Sequence, residues 1–185
     1  MLKRAVWQGL AAGLAGAAVM TVAEKVEQRV TGRPDSYVPA QVLARLAGLP
    51  ESSGQQQPRW QNLAMHYGQG AVVGVLRSVM AQAGLRGVWA SSVFTALRLA
   101  NDQILENATG VGAPPLTWPR GELAIDVLHK SIYAFATGAV ADALAARDGA
   151  GPGQRHAALR PGRRSDVGPL PYERRRDGRV PAGPR

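Results

Sequence analysis

From Ala5 to Ala23 the chain runs for nineteen positions without a charge, and only Gln8 and Thr21 in that stretch are conventionally polar. At 1.5 Å per residue this is about 28 Å of helix, close to the hydrocarbon thickness of a bilayer. Glu24, Lys25, Glu27, Gln28 and Arg29 then carry the helix into water, and Gly32-Arg-Pro34 ends it. The pattern predicts a first helix over about residues 5–29. A secretory signal also opens on basic residues and an apolar run. This run is longer than the usual signal core, and Thr21-Val-Ala23 is a poor cleavage site, so an uncleaved anchor is expected. Val38 to Leu49 reads as a short surface helix at the membrane interface, and Pro50 to Pro58 as a flexible loop. Three more helices are predicted over about residues 60–83, 88–106 and 121–146. They are joined by the tight connector Gly84-Leu-Arg-Gly87 and by an uncharged loop from Asn107 to Pro119.

The last three helices carry polar stripes. Ser91, Thr95, Arg98 and Asp102 share one face of the third, and Glu122, Asp126, His129, Tyr133 and Thr137 share one face of the fourth. His66, Gly70, Val73 and Arg77 align on the second. In a soluble bundle such stripes would face water, with large side chains packing a core behind them. Here the opposite faces are mostly Ala, Gly, Val and Ser, which make a thin core in water but suit close helix contact in lipid. Gly9, Gly13 and Gly16 line one side of the first helix, and Gly70-x-x-x-Gly74 repeats the spacing in the second. All five are expected to be helix-packing positions. The expected fold is all-α, a four-helix membrane bundle over residues 1–146 followed by a disordered basic tail over 147–185. Each charge in the later helices would cost about 2.5–3.5 kcal/mol if held at mid-bilayer, so a soluble or peripheral bundle is the competing reading.

Composition sharpens this picture. The formal charge of +9 suggests a nucleic-acid partner until it is located. Residues 147–185 hold ten arginines against Asp148, Asp166, Glu173 and Asp177, so the excess belongs mainly to the tail. That tail is rich in Gly and Pro and poor in large apolar residues, which leaves it too little burial to offset its ordering entropy. With only Tyr172 to stack on a base, it suits anionic lipid headgroups better than nucleic acid. The mean hydropathy of −0.13 is pulled down by this tail and by the Gln/Pro stretch near residue 55. Cysteine is absent, which excludes disulfides, thiolate metal sites and thiol catalysis.

Two groups of residues resemble a known family. Gly9-Leu-Ala-Ala-Gly-Leu-Ala-Gly16 leading to Thr31-Gly-Arg-Pro34 looks like the opening of small uncharacterised actinobacterial membrane proteins. Gly110-Val-Gly-Ala-Pro-Pro115, Trp118-Pro119, Asp126, His129 and Tyr133 resemble their last loop and helix. A looser similarity extends to the YagU-like inner-membrane proteins. The resemblance implies a multi-pass inner-membrane protein and assigns no activity.

The candidate chemistry lies in the stripes. Asp126-x-x-His129, with Glu122 one turn earlier, has the spacing of a metal-binding helix, but a metal would need further ligands and His66 is the only other plausible core imidazole. An interhelical hydrogen-bond network is the expected role, with proton handling or substrate binding behind it. Arg98 and Asp102 are spaced to pair at i, i+4, which would direct both charges inward. Gly110-Val-Gly112 is no phosphate cradle, since no strand precedes it and no Lys-Ser/Thr follows. Asp126, His129 and Ser131 are neighbours on one helix and form no triad. No catalytic constellation, cofactor or metal is therefore expected. The function expected is a structural, envelope-associated or accessory membrane protein, or else a small transporter or channel-like oligomer with Arg98, Asp102, Asp126 and His129 along a polar path; His66, Arg77 and Glu122 complete the candidate intramembrane polar residues. Lys3, Arg4, Arg86 and the tail place both termini in the cytoplasm by the positive-inside rule. Arg29, Arg33, Arg45 and Arg59 of the first connector resist it.

Overall fold

A computed structural model describes residues 2–50 and 59–159. Four long helices, α1 (Leu2–Thr31), α3 (Arg59–Ala83), α4 (Val88–Ala108) and α5 (Arg120–Ala146), run alternately up and down. A short helix α2 (Val38–Ala47) lies against α3, a 3₁₀ turn (Pro115–Thr117) precedes α5, and α6 (Pro152–Ala158) follows it. No strand occurs among the described residues. Both described termini lie on one end of the bundle, the terminal face, where Arg4 Nη1 stands 2.6 Å from Asp148 Oδ1. The opposite end holds the α1–α2 link and the α4–α5 loop, and is called here the chamber face.

The helices begin and stop where the chain's punctuation directs. α3 ends in a Schellman turn in which Leu85 N–H donates to the Met80 carbonyl at 2.9 Å. Gly84 and Gly87 take φ of +102° and +86° on either side of that bend, values that a side chain would strain. Pro119 precedes the first turn of α5, and Gly48 closes α2 in the left-handed region.

α1 is the centre of the assembly, lying mainly on α3 and then on α5, while α4 docks on α5 and scarcely touches α3. The α1–α3 contact is backbone on backbone. A Cβ at Gly74 would lie 2.5 Å from the Gly9 carbonyl oxygen, and one at Gly13 would fall inside the surface of the Gly70 carbonyl. Gly16 meets α5 instead, against Thr137 and the Tyr133 carbonyl. The two GxxxG faces thus interlock, a contact that only small residues permit. Around this seam sits a small core of Ala12, Ala17, Met20, Ala81, Phe94, Tyr133, Ala134, Ala141 and Ala145.

The C-terminal segment departs from expectation. The composition puts a disordered tail from residue 147 onward, yet residues 147–159 form a turn and α6, with Gln154 buried. The reason is local. Gly84 and Gly151 leave no room for a Cβ between the end of α3 and the start of α6, so the two backbones close on one another. Residues 160–185, and the headgroup contact expected of them, lie outside the described residues, as does the expected loop from Glu51 to Pro58.

Asp148 clasps the terminal face. Its carboxylate accepts from Gln82 Nε2 at 2.9 Å, from Gln8 Nε2 at 3.2 Å and from Arg4. The Gln82 hydrogen bond above all, with those of Gln8 and Arg4, holds its pKa below the usual aspartate range. A depressed folded pKa stabilises above the unfolded value of about 3.9 and loses that contribution as pH falls through the folded value. The clasp should therefore loosen below about pH 4. The protection of the α6 amides relative to their intrinsic exchange rate, measured from pH 6 downward, should fall there, and Asp148→Asn should show the lower protection already at neutral pH. Equal protection in both proteins at neutral pH would dismiss the clasp.

Candidate functional site

The polar stripes of α3, α4 and α5 turn inward. Towards the chamber face, Asp102 of α4 is buried and central. Its Oδ2 stands 3.1 Å from Lys130 Nζ of α5, and its Oδ1 accepts from Gln69 Nε2 of α3 at 2.7 Å and from Asn101 at 3.3 Å. Lys130 in turn reaches Asp126 Oδ1 at 2.6 Å, one turn back along α5. Arg98 approaches Asp102 Oδ2 through Nε at 3.3 Å, and its guanidinium carbon lies 4.9 Å from the centre of the Tyr133 ring. The Nε approach is an ion pair without hydrogen-bond alignment, so Arg98 Nε and Nη1 are both buried without an acceptor. Tyr133 donates its hydroxyl to the Gly70 carbonyl at 2.6 Å, which fixes the ring beneath Arg98.

Gln69, Arg98, Asp102, Asp126 and Lys130 line a cavity of about 670 Å³ that opens on the chamber face. Its far wall is α1. There Thr21 Oγ1 donates to the Ala17 carbonyl at 2.8 Å and stands 3.0 Å from His66 Nε2. The threonine proton is thus already committed, so the imidazole is the donor in that contact and carries its hydrogen on Nε2. His129 Nε2 is buried, 4.0 Å from Glu27 Oε2 and without a hydrogen bond. Glu27 is occupied instead by Thr31 Oγ1 at 2.7 Å and by Arg33, which also approaches Glu122 at 3.5 Å. Lys25 is held by Asp35, whose pKa that hydrogen bond keeps low. Glu24 of α1 and Glu106 of α4 face the chamber with no ion-pair or hydrogen-bond partner among the described residues. The α4–α5 loop closes one side through Val111, Gly112 and Trp118.

A second polar network lies towards the terminal face, beyond the Phe94–Tyr133 layer. Arg77 is fully buried and donates through Nη2 to Asp142 Oδ2 at 2.9 Å. The same oxygen accepts the Gly87 N–H at 2.8 Å, so Asp142 also pins the start of α4. Gly138 makes room for the guanidinium, since a Cβ there would stand 3.1 Å from Nη2. Arg86, buried in the connector, donates to the Ala81 carbonyl at 2.9 Å and the Ala145 carbonyl at 3.1 Å. It thereby sets a positive charge at the last turns of α3 and α5, on carbonyls that also accept the Gly84 and Asp148 N–H groups.

The structure therefore brings His66, Arg98, Asp102, Glu122, Asp126 and His129 to one chamber and sets Arg77 apart from them. Asp126 is turned to Lys130 rather than to His129, and among the described residues no group of three potential ligands converges on a metal position. Sequence reasoning left Asp142, Lys130, Gln69 and Glu106 out of the site and took Arg86 only as a topological marker. Arg77 and Asp142 each interrupt an otherwise apolar run, and pairing those two isolated opposite charges was the available signal. Nothing in the sequence marks Arg86 for two helix ends, because its acceptors are backbone groups from two distant helices. Compared with family models, curated proteins and solved structures, the chain matches none.

Proposed function

We propose that this chain is a multi-pass protein of the bacterial inner membrane whose four long helices cross the bilayer and enclose a solute chamber open to one side. The observation that carries the reading is an inverted distribution of polarity. Arg77, Arg86, Arg98, Asp102, His129 and Asp142 are buried, while Leu14, Val22, Val72, Leu76, Val93, Leu97, Leu128 and Phe135 are exposed along the middle of the helices. In water that arrangement is doubly unfavourable, whereas in lipid the apolar exterior is solvated, Arg77 and Arg98 are sheltered with Asp142 and Asp102, and Arg86 is sheltered by backbone carbonyls.

The tryptophans support the same reading. Trp7 and Trp89 are exposed at the terminal face, and Trp60 is exposed at the chamber face, where Trp118 lies half-buried. Gly9 facing Gly74 and Thr21 facing His66 set Trp60 level with the Lys25 turn of α1. The two layers are then about 27 Å apart at 1.5 Å per residue, the spacing of the two interfacial belts of a bilayer. The resemblance to small actinobacterial membrane proteins points the same way. With both termini cytoplasmic, the chamber opens to the periplasm. Of the first connector's arginines, Arg33 and Arg59 are then part of the chamber wall, which accounts for two of the four that depart from the charge rule. The Phe94–Tyr133 layer and the glycine seam close the interior below it, which favours a binding or alternating-access role over an open pore.

A soluble or peripheral bundle has one observation in its favour: among the described residues only α1 is long and apolar enough to cross a membrane by itself. Alkaline carbonate decides between them. Membranes washed at high pH should keep a chain shortened to residue 159, because the helices and not the basic tail anchor it. Recovery of that shortened chain in the supernatant would establish the soluble or peripheral bundle.

A further inference from the structure

We propose that the chamber binds an organic dication, an aliphatic diamine whose two ammonium groups meet carboxylates on opposite walls. This rests on the chamber being the solute site argued above, and not on the bilayer. Around the cavity the acidic groups outweigh the basic ones. In the α4–α5 corner Arg98 and Lys130 answer three carboxylates, because Glu106 stands beside Asp102 and Asp126. Arg33 answers two, Glu27 and Glu122. Lys25 and Arg59 share Asp35, which leaves a basic excess there, but Arg59 is exposed at the rim, where water and salt screen it. Glu24 of α1 has no ion-pair partner among the described residues, and its charge acts on the imidazoles of His66 and His129. With both imidazoles neutral, the described walls carry a net negative charge.

An anion would add to that excess, and half-buried carboxylates are stabilised only by a positive partner. Glu24 and Glu106 have neither an ion pair nor a hydrogen bond among the described residues. They stand on α1 and α4, two helices that line the chamber from different sides and are not packed on one another. This placement selects between kinds of cation. A metal ion gathers several oxygens around one point, at about 2.0–2.6 Å, and among the described residues no group of three potential ligands converges in that way. An ammonium makes no such demand, since one carboxylate and water satisfy its three donors. A molecule with an ammonium at each end therefore answers both glutamates, and its methylenes lie between walls that include Met20, Leu63 and Leu105. Tyr37 and Trp118 line the same cavity, and aromatic rings attract ammonium groups. The 670 Å³ of the cavity accommodates such a molecule with water.

Four probes separate the alternatives: 1,4-diaminobutane, 1-aminobutane, succinate and Mg²⁺. Binding is measured calorimetrically on the full chain at about pH 7.5, above the ordinary histidine pKa, in dodecyl maltoside, whose uncharged headgroup does not compete. 1,4-Diaminobutane should bind at least about tenfold more tightly than 1-aminobutane, and succinate and Mg²⁺ more weakly still. Glu24→Gln and Glu106→Gln should each weaken diamine binding about tenfold or more. Both glutamates are half-buried and without partners among the described residues, so the amides should fold, which the melting midpoint of each variant checks. Lys3→Gln, on the exposed terminal face, should leave the affinity unchanged. No binding by the wild-type protein, equal binding of 1-aminobutane or Mg²⁺, or an unchanged affinity in either glutamate variant would each overturn the proposal. A chain that stays in carbonate-washed membranes but binds no diamine loses this proposal alone. Should carbonate washing release the chain, the same titration is run on the soluble protein, so the chamber and the membrane reading fail separately.

Discussion

Gly13→Val should leave no folded protein to recover, while Gly68→Ala should leave the bundle as stable as before or slightly more so. Both positions are helical glycines, and the helix itself would favour a larger residue at either by about 1 kcal/mol. Their surroundings decide the sign. Gly68 has nothing within 4 Å of a built Cβ, so only the helix-propensity gain remains. At Gly13 the Cβ would occupy the space of the Gly70 carbonyl, and no side chain can step aside because the obstacle is backbone. The whole of α1 must then lift from α3. Overpacking of a core ordinarily costs about 1–3 kcal/mol, and separating an interlocked pair of helices should exceed it. Even Gly13→Ala should lower the thermal midpoint by several degrees, and Gly74→Ala combined with it should add little, since both open the same seam. Wild-type melting of Gly13→Val in detergent or nanodiscs would show that the seam does not hold the bundle together.

The second large effect concerns Arg77. Removing one partner of a buried ion pair costs about 3–5 kcal/mol, because the other charge is stranded, whereas replacing both by apolar residues is often neutral. Arg77→Met and Asp142→Leu should each lower the midpoint by roughly 6–20 °C on the scale of a domain this size, and the double variant should recover most of the loss. Asp142→Leu should be the worse of the two, since it also orphans the Gly87 N–H at the head of α4. Additive losses in the double variant would mean that the two side chains contribute independently.

The sequence made the helices legible because each is bounded by local chemistry. The expected spans of 60–83 and 121–146 differ by a residue from Arg59–Ala83 and Arg120–Ala146. The Arg98–Asp102 pair was readable from its i, i+4 spacing, and the inward turn of the stripes followed from the small residues opposite them. What a single chain cannot display is the partner across the bundle. Asp142 lies sixty-five residues from Arg77, and Lys130 answers Asp102 from another helix. The order in residues 147–159 escaped composition because it depends on Gly84 and Gly151 fitting against each other, a matter of shape rather than hydropathy.

The docking of α4 on α5 rather than on α3 bears on how the chain is made. A ribosome delivers α4 immediately after α3, joined by the connector at Gly84–Gly87, yet the lysine that balances Asp102 arrives only with α5. Until then α4 carries an arginine and an aspartate whose intended neighbours are untranslated. On the proposed reading that the long helices cross a bilayer, its insertion must wait, sheltered by the translocon or an insertase, until residue 130 of α5 has emerged. The wild-type protein should therefore depend on that machinery more heavily than its length suggests, and a nascent chain stopped after α4 should be handed to quality control.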